Sequence, residues 1–177
     1  MKSFKEYFLE SVNGLPDIWY HGSIHRFDWF SPEYIGKGHD AQGPGYYFTN
    51  SEADAALYGA TNIIKVSIDF NKIVPDKGRI NRNVVERFIK ASPNLEIVLS
   101  NYDENPNIAY RKLLNNIMNS NGPRDAYLTI WAECYRHSEL LWMENMVKLG
   151  YTGSVVNMRE GVIHAIIYDL NKVTRIK

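Results

Sequence analysis

Tyr20-His21-Gly22-Ser23, then Gly43-Pro44-Gly45-Tyr46-Tyr47-Phe48-Thr49, and close behind it Ser51-Glu52-Ala53-Asp54-Ala55-Ala56-Leu57-Tyr58, are the stretches on which the fold turns. The first closes a short β-type run that starts at Ile18 and stops at a glycine. The second is an aromatic strand flanked by glycines, and the third opens on Asn50 or Ser51 as a helix cap and continues in alanines that favour close packing. Between the two strands, residues 31–44 hold Pro32, Gly36, Gly38 and Gly43 and read as a long flexible loop. Working outward, residues 62–70 alternate Ile64, Val66 and Ile68 with Lys65, Ser67 and Asp69, the pattern of a strand with one buried face. Residues 82–149 carry apolar side chains at helical spacing, broken by Pro93, Pro106 and Gly122-Pro123. The tail, 153–176, returns to strands around a turn at Arg159-Glu160-Gly161. Strands at both ends of a helical middle, without βαβ alternation, predict an α+β fold.

Composition bounds the function. A chain of 177 residues with 45% hydrophobic and 23% charged residues is expected to form a single globular domain, and no stretch divides it. Twenty basic residues balance twenty acidic ones, so no overall field draws it to nucleic acid or to a membrane surface. The lone cysteine, Cys134, rules out an intramolecular disulfide and reads as a buried structural thiol. No apolar run is long enough to cross a bilayer, and Glu6 and Glu10 do not suit a secretion signal, so a cytoplasmic protein is expected. Phe4, Phe8 and Val12 predict a short N-terminal helix over 1–13, ended by Asn13-Gly14 and Pro16, ahead of a domain spanning 14–177.

Several side chains suit a ligand. The His21 ring beside a bare glycine could bond a ribose hydroxyl while the Gly22 backbone comes close, although His-Gly-Ser is also a common turn. Tyr47 suits stacking on a flat heteroaromatic ring, or a place in the core. His25, His39 and Asp40 sit in or near the loop, where His39 and Asp40 touch an adenosine or simply meet solvent. Metal ligation by His21, His25 and His39 lacks a carboxylate or cysteine at a zinc spacing, and no metal is expected. Cys134 and His137 lack an orienting partner for hydrolase chemistry, and Gly36-x-Gly38 is too short for a phosphate loop. Trp131, Tyr135 and Trp142 read as core.

The order of these motifs resembles the NAD-binding core of the ADP-ribosyltransferases, in the His-Tyr-Glu branch that includes diphtheria toxin and the poly(ADP-ribose) polymerases. In the polymerase branch a strand tyrosine and a tyrosine of the following helix sandwich the nicotinamide, and Tyr47 and Tyr58 fall at the matching places. Ala55 stands where those enzymes have a small hydroxyl residue, so a carboxamide contact is lost or supplied elsewhere, with Ser51 the candidate. The resemblance implies two small antiparallel sheets around an NAD cleft with a helical insertion. It further implies that His21 fixes the adenosine ribose and that Gly22 and Ser23 hold the nicotinamide end, with Asp40 in the segment covering the dinucleotide. The start, Met-Lys-Ser-Phe-Lys-Glu-Tyr, is similar to leaders on proteins of large tailed bacteriophages.

The segment Val162-Ile163-His164-Ala165-Ile166-Ile167 is similar to the family's final active-site strand, with His164 at the position of its glutamate. Three readings stand. His164 serves an active variant by binding ribose or acting as a general base, Glu160 reaches in because 160, 162 and 164 share strand parity, or the domain binds NAD without efficient turnover. The resemblance thus implies a mono-ADP-ribosyltransferase that uses NAD as co-substrate and releases nicotinamide. Its acceptor would be a host protein, or alternatively a nucleic acid, in the cytoplasm of an infected cell or carried in the virion. The competing expectations are an inactive NAD- or partner-binding module and a NAD glycohydrolase.

Overall fold

The computed structural model describes residues 14–37 and 41–177; the helix predicted over 1–13 and the loop residues His39 and Asp40 lie outside them. The fold is α+β. Seven strands, β1 (Trp19–Ser23), β2 (Tyr46–Thr49), β3 (Asn62–Ile68), β4 (Ile73–Val74), β5 (Gly153–Arg159), β6 (Val162–Ile167) and β7 (Val173–Arg175), form one sheet in the order β4-β5-β6-β2-β1-β3-β7. All neighbours run antiparallel except β4 and β5.

The two antiparallel sheets expected from the sequence are therefore corrected to one mixed sheet. The correction has a narrow physical basis. β1 pairs with β3 along its whole length, from Trp19 opposite Val66 to Ser23 opposite Asn62, and β2 pairs with β6 from Tyr46 to Thr49. Between β1 and β2 there is one register pair, Tyr20 opposite Thr49. The halves β4-β5-β6-β2 and β1-β3-β7 are thus joined at a single point. Strand β4 gave no local signal, because its two residues pair in parallel with Gly153 and Ser154, far along the chain.

The helical middle comprises α2 (Arg82–Lys90), α3 (Leu95–Ser100), α4 (Pro106–Met118), α5 (Pro123–Ile130) and α6 (Glu139–Lys148), with α1 (Glu52–Gly59) between β2 and β3. Of the prolines expected to break it, Pro106 and Pro123 occupy first-turn positions of α4 and α5, where a missing N–H costs nothing, while Pro93 lies in the turn between α2 and α3; Asn81 and Asn105 cap α2 and α4. α5 continues into a π-helical turn, Trp131–Tyr135. Ile89, Leu113, Ile117, Ile130 and Met146 share one core with Trp19, Val66 and Ile167 of the sheet. Tyr135 and Trp142 are buried there as expected, while Trp131 packs at its margin. Cys134 is buried, and burial pushes its thiol pKa to about 12.

Two glycines set helix α1 against β1. A Cβ on Gly22 would fall 2.7 Å from the Ala55 carbonyl carbon and closer still to its oxygen, and one on Gly59 would overlap the Ser23 backbone. The helix can lie this near the strand only because both positions lack a side chain.

Candidate functional site

Where β1 and β2 part, the protein holds a cavity of about 560 Å³, within the range of small-molecule sites. Its lining brings together His21, Gly22 and Ser23 of β1, Tyr47 of β2, Tyr58 of α1 and His164 of β6. Phe27, Trp29, Phe30 and Tyr34, from the segment after β1, add an aromatic wall. Among the described lining residues Arg26 is the one fixed cation, and there is no carboxylate. The surface therefore suits a ligand with flat rings and negative charge.

His21 spans the gap between the strands. Its Nδ1 lies 2.8 Å from the Tyr47 carbonyl oxygen, which can only accept, so Nδ1–H donates and Nε2 carries the lone pair. The imidazole thus links β1 to β2 just where their backbones stop pairing. Phe30, Phe27 and Phe48 surround the ring edge-on, with centroids 4.9, 5.7 and 6.0 Å away. Burial among them lowers the pKa of His21 below 6.5, against the opposing pull of the carbonyl hydrogen bond, and favours the neutral acceptor form.

Tyr47 is fixed at its far end. Its hydroxyl donates to the Gly43 carbonyl at 2.6 Å and accepts from the Gln42 N–H at 3.2 Å, which ties the returning loop to the strand. Tyr58, 62% exposed, stands at the rim with its ring edge-on to His164 at 6.1 Å.

His164 is buried, and its Nε2 lies 2.7 Å from Oδ2 of Asp54, a buried carboxylate on α1. A carboxylate only accepts, so Nε2–H donates and, in the neutral ring, Nδ1 holds the lone pair. Arg159 Nη2 approaches the other oxygen of Asp54 at 3.8 Å, from a largely exposed side chain. Sequence reasoning missed Asp54. Its signal was present, since Asp54 and Tyr58 are four residues apart and share a helix face, but nothing in the sequence tied that face to His164. Arg26 and the aromatic wall were missed as well, lacking any motif.

The remaining expected site residues lie elsewhere. The Ser51 hydroxyl caps α1, accepting from the Asp54 N–H at 3.2 Å, and Ser51 does not line the cavity. Glu160 is exposed in a two-residue turn with Gly161, at φ 31°, outside the lining. The strand begins only at Val162, so the parity shared by 162 and 164 does not carry back to 160. Gly22 lines the cavity with its backbone, and the space over its α-carbon on the Cβ side belongs to Ala55 of α1. Ser23 Oγ accepts from the His25 N–H at 3.1 Å, and His25 also lines the cavity. Among the described residues no group of three or more His, Cys, Asp or Glu side chains could hold a metal ion, and no helix is long and apolar enough to cross a membrane.

The chain matches no family model, and no curated protein and no solved structure is significantly similar to it.

Proposed function

We propose that this protein is a mono-ADP-ribosyltransferase of the His-Tyr-Glu type in which His164 replaces the glutamate, with NAD as co-substrate and a host macromolecule as acceptor. One observation carries the reading. Four side chains that the resemblance assigns to NAD, His21, Tyr47, Tyr58 and His164, come from three strands and a helix and line a single cavity. In this reading His21 Nε2 accepts from an adenosine ribose hydroxyl, Tyr47 and Tyr58 flank the nicotinamide, and Arg26 meets the pyrophosphate. The cavity where β1 and β2 part is compatible with the cleft that this reading needs.

Chemistry then follows from the leaving group. The glycosidic bond breaks with its electron pair going to the pyridine nitrogen, nicotinamide departs neutral, and positive charge grows on the ribose until a nucleophile takes the anomeric carbon. The apolar wall keeps water from that cation.

Incubation of the protein with NAD labelled on the adenylate, in a bacterial lysate, tests the proposal. Transfer predicts released nicotinamide and labelled macromolecules, with nuclease and protease treatment separating a nucleic-acid acceptor from a protein one. Nicotinamide without labelled macromolecule identifies a glycohydrolase, and NAD binding without release identifies a binding module. Absence of NAD binding overturns the reading altogether.

A further inference from the structure

We infer that Asp54 and His164 form a base dyad serving a hydroxyl acceptor; the inference rests on the NAD reading of the cavity proposed above. The pair is built rather than incidental. Both side chains are buried, they meet at 2.7 Å, and they come from different elements, helix α1 and strand β6. Asp54 occupies the Nε2 side of the ring, and Nδ1 has no hydrogen-bond partner among the described residues. Because His164 lines the cavity, the Nδ1 lone pair is the part of the ring left for a ligand.

The charge of the pair resolves the difficulty that a histidine poses at this position. An isolated imidazolium would oppose the cation forming on the ribose. Neutral His164 with the Asp54 carboxylate instead carries a net charge of minus one, the same as the glutamate it replaces, and after accepting a proton the pair is neutral. The charged and titratable groups facing it are Asp54 and Tyr58 from α1 and Arg159 from β5; β2 contributes Thr49, opposite His164 in register. Arg159 is mostly exposed, so water screens its charge.

The acceptor class follows from the proton. A carboxylate nucleophile arrives deprotonated and gains nothing from a base. A hydroxyl must lose its proton as it attacks, and no carboxylate lines the cavity among the described residues to take it. The hydroxyl oxygen forms a bond to the anomeric carbon, the bond from that carbon to the pyridine nitrogen breaks with its electrons going to nicotinamide, and the hydroxyl proton moves to His164 Nδ1. Asp54 holds the resulting imidazolium until the proton passes to solvent. His164 is thus the base, and Asp54 the residue that positions it.

The test uses the full chain with NAD and methanol as hydroxyl probe, with acetate as carboxylate probe, and follows nicotinamide release and methyl ADP-ribose formation against pH. At saturating NAD the wild type should form methyl ADP-ribose in preference to the acetyl ester, with a rate that falls on acidification. Asp54→Asn should lower that rate by about 100-fold and alter the pH profile, leaving NAD affinity within about twofold, with partial recovery in Asp54→Glu. Because Asp54 is buried, His164→Gln is run beside it and should lose the acid limb of the profile. A wild-type rate and profile in Asp54→Asn or in His164→Gln, or preferential transfer to acetate, overturns the dyad while leaving the NAD site intact. Failure of the wild type to bind NAD sinks both.

Discussion

Gly22→Ala puts the architecture of the site under the most direct strain. The added methyl carbon would lie 2.7 Å from the Ala55 carbonyl carbon and closer still to its oxygen, so helix α1 must retreat to restore ordinary contact, and by more than the carbon alone requires. The obstacle is helix backbone, which has no rotamer to change. Overpacking of this kind costs up to about 3 kcal/mol, and the lower backbone entropy of alanine in the unfolded chain returns up to about 1 kcal/mol, leaving a net loss of about 2 kcal/mol. For a chain of this size that corresponds to a fall in Tm of about 4–8 °C, measured by circular dichroism on heating. Gly14→Ala is the control, because a Cβ there meets nothing within 4 Å among the described residues, and its Tm should stay near that of the wild type or rise slightly. The displacement carries Tyr58 with the helix, so NAD affinity should fall in Gly22→Ala and not in Gly14→Ala. A Gly22→Ala protein that melts with the wild type and titrates NAD normally would refute the claim that helix contact, rather than a ligand, requires this glycine.

NAD affinity should weaken as pH falls below the ordinary histidine range, because protonating His21 turns its acceptor nitrogen into a donor; isothermal titration over pH 5–8 checks this, and His21→Ala should abolish the dependence. Stability follows the same sign. The folded pKa of His21 lies below 6.5, so its stabilisation is complete above that value and is lost as pH falls towards the folded pKa, while the unfolded chain takes up its proton first; Tm against pH should show a slope in this window that His21→Ala removes. Ser51→Ala should cost about 1 kcal/mol by removing the cap of α1, yet leave NAD affinity unchanged; a large loss of affinity at unchanged Tm would restore the carboxamide role instead. Cys134, with its thiol pushed to about 12, should resist a disulfide-exchange reagent at pH 8 until the protein is unfolded in urea.

The elements legible in the sequence were those whose signals are local. β3 alternates residue by residue, Ser51 announces the helix it caps, and the prolines mark helix starts. Features that exist only after long-range pairing were not legible. β4 needs its partner β5, and whether β1 and β2 join is decided by how far their ladder runs, which no composition records. The same limit applies to the site. His21, Tyr47 and Tyr58 belong to stretches of recognisable order, whereas Asp54 acquires meaning only when β6 brings His164 against α1, across a separation of 110 residues. Glu160 lies outside the lining for a related reason: parity extrapolates along a strand, but a positive φ at the turn ends the strand and the extrapolation together.

The gap that makes the cavity also explains why several of its residues serve the fold. A ladder that stops after one pair leaves backbone groups of two strands in need of partners, and buried unpaired groups are costly. Side chains supply them. The His21 ring takes the Tyr47 carbonyl of β2, while the Tyr47 hydroxyl takes the Gly43 carbonyl and the Gln42 N–H of the loop that leads into β2. At the other end of β2, Asn50 accepts from the Ile163 N–H at 2.8 Å and donates its side-chain amide to the Gly161 carbonyl at 2.8 Å, which holds β2 to β6 as β1 departs. His21 and Tyr47 therefore close the sheet and line the cavity at once, and truncating either perturbs both. His21→Ala lowers affinity and stability together, so affinity alone cannot assign its role. The pH dependence can: a purely structural imidazole would give the stability slope without a matching slope in NAD affinity once the folded fraction is accounted for, and a ligand-bonding one gives both.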